Sequence, residues 1–202
     1  FIYSPYLLLT NHVRGGLPES LGLAALPFAL WTWRRASTGQ RNFVVWGGVA
    51  YAALIFSHNG FAVQVSPALL AFALWAGRDN WYRAFRYTAI TAIAGLLLSA
   101  FYWLPAIYEL PFAKIEEGYA STGIVYYNNF SPLHELFTYP PVPVDSDMLN
   151  PPVSNPVSAS ALGLAVLALA FGLSSDRQLS GEILCLGTLA ICCLFLVLPQ
   201  SQ

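Results

Sequence analysis

The sequence predicts an all-α fold, a polytopic transmembrane helix bundle of about six spans with a long extracytoplasmic loop segment, and three observations predict it. Of 202 residues, 56% are hydrophobic and 9% charged, with a mean hydropathy of +0.56; that leaves too little polar surface for a water-soluble globule of this length. Apolar runs recur between short polar loops, and seventeen residues at the helical rise make roughly 26 Å, close to the ~30 Å hydrocarbon core of a bilayer. The cations, finally, are segregated into alternate loops.

Taken in order, residues 1–16 are mixed and aromatic, with Arg14 as the one cation, a composition that suits the membrane surface. The first span is expected at about 17–33. Pro18 and Glu19 fit its first turn, where a missing N–H costs nothing and a carboxylate meets the positive end of the helix dipole. Pro27 should bend it, and Arg34, Arg35 and Arg41 bracket the polar loop that follows. The second and third spans, about 42–57 and 61–77, are separated only by His58-Asn59-Gly60 and so form a helical hairpin, with Pro67 a candidate kink in its second arm. A polar loop with Arg78, Asp79, Arg83 and Arg86 leads to the fourth span, about 88–104, which should stop at Pro105.

Residues 105–157 hold 9 of the 14 prolines and 8 aromatics but no apolar run long enough to cross a membrane, and any chemistry is expected there. An ordered segment with a short helix or two is the expected structure, since its rings can bury apolar area and its prolines restrict the unfolded chain. The fifth and sixth spans, about 158–173 and 182–198, flank a loop carrying Arg177. The whole reads as a single transmembrane domain, residues 1–202. Starting at Phe1 without a Met and stopping just after an apolar run, it also reads as a piece of a longer protein.

Threading six spans alternately puts seven of the nine Lys and Arg residues on one side (34, 35, 41, 78, 83, 86, 177) and leaves Arg14 and Lys114 on the other. The richer side is then cytoplasmic. Trp31, Trp33, Trp46, Trp75 and Trp81 fall at that same inner interface, where indole rings prefer to sit. Both termini and the 105–157 segment face outward, and the expected location is the plasma (inner) membrane. A net charge of -1 without a basic patch sets nucleic-acid binding aside. Cys185, Cys192 and Cys193 lie in one apolar run without disulfide or metal-ligand spacing, where they act as small hydrophobes.

Four groups of residues could carry chemistry. Asp145 and Asp147, one residue apart, could share a divalent cation through hard oxygen ligands, or could line a solvated turn. Glu116 and Glu117 with Tyr119, Tyr126, Tyr127, Asn128 and Asn129 combine hydroxyl-binding groups with flat rings, as in carbohydrate contact; the same composition describes a loop on a membrane surface. Glu135 beside His134 offers a general acid or base. His58 and Asn59 at the outer turn offer donors to a lipid-linked phosphate, or satisfy the turn's own backbone, while Arg14 could clamp a phosphate or reach to the interface.

Two stretches, Val13-Arg-Gly-Gly-Leu-Pro-Glu19 and Leu98-Ser-Ala-Phe-Tyr-Trp-Leu-Pro-Ala-Ile-Tyr-Glu109, together resemble a group of bacterial polytopic membrane proteins labelled 6-pyruvoyl-tetrahydropterin-synthase-related, distant relatives of the GT-C glycosyltransferases. The His58-Asn59 turn fits the same pattern. The resemblance implies an enzyme that moves a sugar from a polyprenyl phosphate to an extracytoplasmic acceptor, with Arg14, His58, Asn59, Glu116, Tyr126 and Tyr127 as substrate contacts. The acid on which such enzymes depend lies in a first outer loop, and this chain begins beyond it, so no residue here inherits that role. A second reading is a noncatalytic membrane subunit whose outer loop docks a membrane-protein partner, its prolines limiting the entropy lost on binding. A transporter is disfavoured, because the spans carry almost no ionisable residue near mid-membrane.

Overall fold

The computed structural model describes residue 11 and residues 16–112, 159–174 and 177–197. Among these, every regular element is a helix. The contacts divide the chain into two compact units, with residues 15–113 forming one and residues 114–202, together with 1–14, the other.

The unit of residues 15–113, the larger by described residues, is built from α1 (Leu17–Ser37), α2 (Asn42–Ser57), α3 (Asn59–Ala76), α4 (Trp81–Leu98, entered through a single 3-10 turn, Arg78–Asn80) and α5 (Ala100–Glu109). Both helix ends and tight turns follow from local chemistry. Helix α1 stops at Gly39, whose φ of 104° is open to glycine and strained for other residues. There Gly39 N–H donates to the Ala36 carbonyl and Gln40 N–H to that of Arg35, the paired bonds of a Schellman end. His58 alone joins α2 to α3: its N–H donates to Leu54 O, closing α2, and its Nδ1 accepts from Phe61 N–H at 2.9 Å, opening α3. Asn80 caps α4 in the same way, accepting from Arg83 N–H at 3.0 Å. Helices α1 and α3 run unbroken through Pro27 and Pro67.

The core of this unit combines many alanines with a few large side chains, Trp33, Leu54, Leu69 and Phe72 among them. Trp33 is 1% exposed, packs among Ala29, Ala50, Leu54, Leu69 and Ala73, and donates its indole N–H to the Gly47 carbonyl at 3.1 Å. It therefore does not join the inner aromatic belt expected of it; Trp31, Trp46, Trp75 and Trp81 are the exposed ones. Helices α2 and α4 cross where Gly47 and Gly48 meet Thr91, Ala94 and Gly95, so close that a Cβ on Gly48 would stand 2.9 Å from that of Ala94. Small residues allow such an approach without a large apolar core, the habit of helices packed in lipid. The buried hydroxyls of Thr32, Ser37, Ser57, Thr91 and Ser99 bond to carbonyls three or four residues back in their own helices, so none needs water.

The fourth apolar helix corrects the expected span. It runs from Trp81 to Leu98 rather than 88–104, breaks at Ser99, and continues as α5 at an angle of 71°. Pro105 does not end it. The break is held by substitute donors: Ser99 Oγ donates to Gly95 O at 2.8 Å, and the Leu96 carbonyl receives both Ser99 Oγ at 3.2 Å and the Trp103 indole at 2.9 Å. Pro105 sits inside α5, and the carbonyl it leaves without an in-helix donor belongs to the exposed Phe101.

By length and composition, α3 is apolar enough to cross a membrane alone, and α4 with α5 qualifies only when the bent pair is counted as one span. Asn42–Ser57, Ala161–Gly172 and Leu179–Phe195 are apolar but shorter. In the second unit, α6 (Ala159–Leu173) and α7 (Arg177–Val197) form a helical hairpin, with Gly172 against the Ile183 side chain and Ser180 Oγ donating to Gly172 O at 2.6 Å. Leu164, Val166, Phe171, Leu184, Ile191 and Phe195 are all more than half or half exposed on it.

Candidate functional site at the α2–α3 turn

Gly22 sets the site. A Cβ there would lie 2.9 Å from the Phe61 ring and 3.1 Å from Ser57 Oγ, so only a hydrogen lets α1 rest against the α2–α3 turn. One turn earlier on the same helix face is Glu19. That register brings Glu19 Oε1 to 3.9 Å from His58 Nε2, with the two side chains 22% and 37% exposed.

The cap defines which nitrogen faces the carboxylate. Because Nδ1 accepts from Phe61 N–H, the neutral ring carries its proton on Nε2, the atom directed at Glu19. A 3.9 Å gap is too long for a direct hydrogen bond and leaves room for one oxygen held at about 2.8 Å from each group. The arrangement thus presents an N–H donor and a carboxylate acceptor side by side, drawn from two helices: a ligand hydroxyl can serve both, and a phosphate oxygen can serve the N–H alone. Asn59 is exposed, and its Oδ1 is occupied by Gly60 N–H at 2.7 Å. Its contribution is to the turn. Phe56 lies beside this turn and stacks against Phe101 and Tyr102 at ring separations of 5.2 and 6.0 Å, tying the start of α5 to the same end.

The opposite end of the unit is the basic one. There Arg83 lies over Gly39, Arg41 Nε donates to Tyr87 Oη at 3.1 Å, and Gly77 abuts the Ser37 carbonyl. The α1–α2 and α3–α4 loops are therefore neighbours.

Of the residues expected to contact substrate, His58 and Asn59 are in place at one turn. Arg14, Glu116, Tyr126, Tyr127 and the Asp145–Asp147 pair lie outside the described residues, as do Glu117, His134 and Glu135. Among the described residues no group of three or more His, Cys, Asp or Glu side chains could hold a metal ion. Sequence reasoning assigned Glu19 only to the helix dipole and missed it as the partner of His58. Its spacing from Gly22 was the available signal, but the signal has meaning only once the packing of α1 is known. Comparison with protein-family models, curated proteins and solved structures finds no match for this chain.

Proposed function

We propose that the chain is a multi-pass protein of the plasma membrane, with six spans in α1–α4, α6 and α7, and that it forms the membrane core of a glycosyltransferase-like enzyme acting on a polyprenyl-phosphate-linked sugar at the outer face. The membrane reading is supported by the sorting of the larger unit into two unlike ends. Six arginines and four exposed tryptophans gather at one, while Glu19, His58 and the aromatic start of α5 gather at the other. Helix α5, leaving at 71° with Phe101, Leu104, Ile107 and Tyr108 exposed, has the character of a helix lying in the membrane surface.

The functional reading rests on one observation, the Glu19–His58 pair. In this scheme the His58 Nε2–H donates to a phosphate oxygen of the lipid-linked sugar, and Glu19 accepts a hydrogen bond from a substrate hydroxyl. Exposed α5 also fits a noncatalytic subunit that docks a partner.

Two measurements test this. Single cysteines at Gln40 and Asn59, with Cys185, Cys192 and Cys193 replaced, should differ in intact cells. A membrane-impermeant thiol reagent should label Asn59→Cys and spare Gln40→Cys; the reverse or equal labelling would overturn the topology. Glu19→Gln and His58→Asn should each weaken binding of a short-chain polyprenyl-phosphate-linked sugar about tenfold or more, the loss expected for a hydrogen bond to a charged group. Unchanged binding in both would sink the glycosyltransferase reading.

A further inference from the structure

At the basic end, an open groove of about 480 Å³ runs between α1 and α2, lined by Phe28, Trp31, Asn42, Phe43 and Trp46. Its walls are fixed by ring packing: Trp31 meets Phe43 edge-on at 4.9 Å and Phe28 at 5.9 Å. Arg35, one turn beyond Trp31, stands beside two of the lining rings, its guanidinium carbon 5.9 Å from both Trp31 and Phe43. The Nε of this half-buried arginine is shielded from solvent and has no hydrogen-bond partner. Within residues 16–112 this end carries Arg34, Arg35, Arg41, Arg78, Arg83 and Arg86 against the acid Asp79, so its surplus charge is positive. An apolar trough beside an under-used guanidinium asks for an amphiphile with a negative head.

We infer that this groove is a binding site for an anionic phospholipid, one acyl chain lying along Phe28, Trp31 and Trp46 and the phosphate resting on Arg35, with Asn42 at the rim. The inference rests on the membrane reading above. Arginine suits the role because its planar fork stacks on rings while donating in its own plane to phosphate oxygens. A free phosphate lacks the chain that the trough would cover, and a zwitterionic lipid brings its own cation against a positive surface.

The test is fluorescence quenching of the detergent-solubilised full chain by lipids brominated in the acyl chain, compared between phosphatidylglycerol and phosphatidylcholine at 0.15 M salt. Brominated phosphatidylglycerol should reach half-quenching at about a tenfold lower mole fraction, the effect of one charge-assisted contact. Arg35→Gln should abolish that preference, whereas Arg86→Gln, an exposed arginine of the same end, should change it less than about twofold because salt screens it. Trp46→Ala, at a position 56% exposed and so dispensable to the fold, should weaken quenching by both lipids. Inorganic phosphate at millimolar concentration should not displace the lipid. Equal quenching by the two lipids, or equal losses in Arg35→Gln and Arg86→Gln, would overturn the headgroup site while leaving the membrane reading intact. No quenching by either lipid would overturn the membrane reading itself.

Discussion

The four long helices of the larger unit and the α6–α7 hairpin are about equally apolar in sequence, yet they handle that character in opposite ways. In the first, small residues are turned inward and hidden: Ala29, Ala36, Leu69, Ala73 and Ala84 are fully buried, and large side chains such as Val45, Val63 and Leu97 are turned out. In the hairpin nearly every large side chain is out, and Gly163 has nothing within 4 Å of where a Cβ would stand. A helix apolar on all sides is stable only inside a protein or inside a bilayer. The larger unit has a specific helix-to-helix core that an apolar solvent could not replace; the hairpin has little, and its stability depends on what surrounds it.

Truncating the largest fully buried side chain should therefore produce the largest effect. Trp33→Ala removes the ring packed on Ala50 and Leu54 and the bond to Gly47 O, and should destabilise by about 3–5 kcal/mol. Phe171→Ala, at a position 72% exposed in the hairpin, should change stability by less than about 0.5 kcal/mol. Thermal unfolding in one detergent checks both, and similar losses at the two positions would erase the distinction.

Overpacking sharpens the same contrast at a smaller scale. Gly48→Leu forces side chain into the Ala94 and Gly95 backbone and should destabilise by about 1–3 kcal/mol or more, whereas Gly163→Leu should be nearly neutral. At the break between α4 and α5, Ser99→Ala leaves the Gly95 carbonyl without its side-chain donor while Trp103 still serves Leu96. The expected loss is about 1 kcal/mol, with spin labels at Phe85 and Ile107 reporting a broader distance distribution across the bend. An unchanged distribution would show that packing alone sets the angle.

These contrasts also explain what the sequence could and could not reveal. Some helix limits were legible, α2 falling at the expected 42–57 and α1 beginning at the expected Leu17, but the polar loops were read too long: α1 runs on through Arg34 and Arg35 to Ser37, and α4 and α7 begin earlier than expected, at Trp81 and Arg177. The α4 break was not legible, because the local pattern offered Pro105 as the obvious breaker. The residues that hold the break, Ser99 and Trp103, act by bonding carbonyls in the preceding turn, an interaction that leaves no period in the sequence. Trp33 was misplaced for a related reason: a tryptophan near a span end suits the interface by type, and only the approach of Gly47 buries it. The candidate site was half legible. His58 stood out as polar at an apolar turn, but Glu19 became its partner through the Gly22 contact, which no linear motif encodes.

The smallest expected effect in stability isolates the most specific claim about His58, which has two jobs on two nitrogens. Nδ1 caps α3, and Nε2 faces Glu19. Alanine removes both and should cost about 1 kcal/mol through the lost cap. Asparagine is an equally good N-cap residue, its side-chain oxygen accepting the same Phe61 N–H, so His58→Asn should stay within about 0.5 kcal/mol of the parent protein. If His58 matters only as a cap, the asparagine variant should then bind a polyprenyl-phosphate-linked sugar like the parent, and Glu19→Gln should be silent in either background. If Nε2 is the working atom, His58→Asn should be as stable as the parent yet bind as poorly as His58→Ala. Glu19→Gln should then add less to His58→Asn than it does alone, because the two groups share one ligand. A double-mutant cycle in binding, run beside unfolding curves for the same four proteins, separates the turn's architecture from its chemistry.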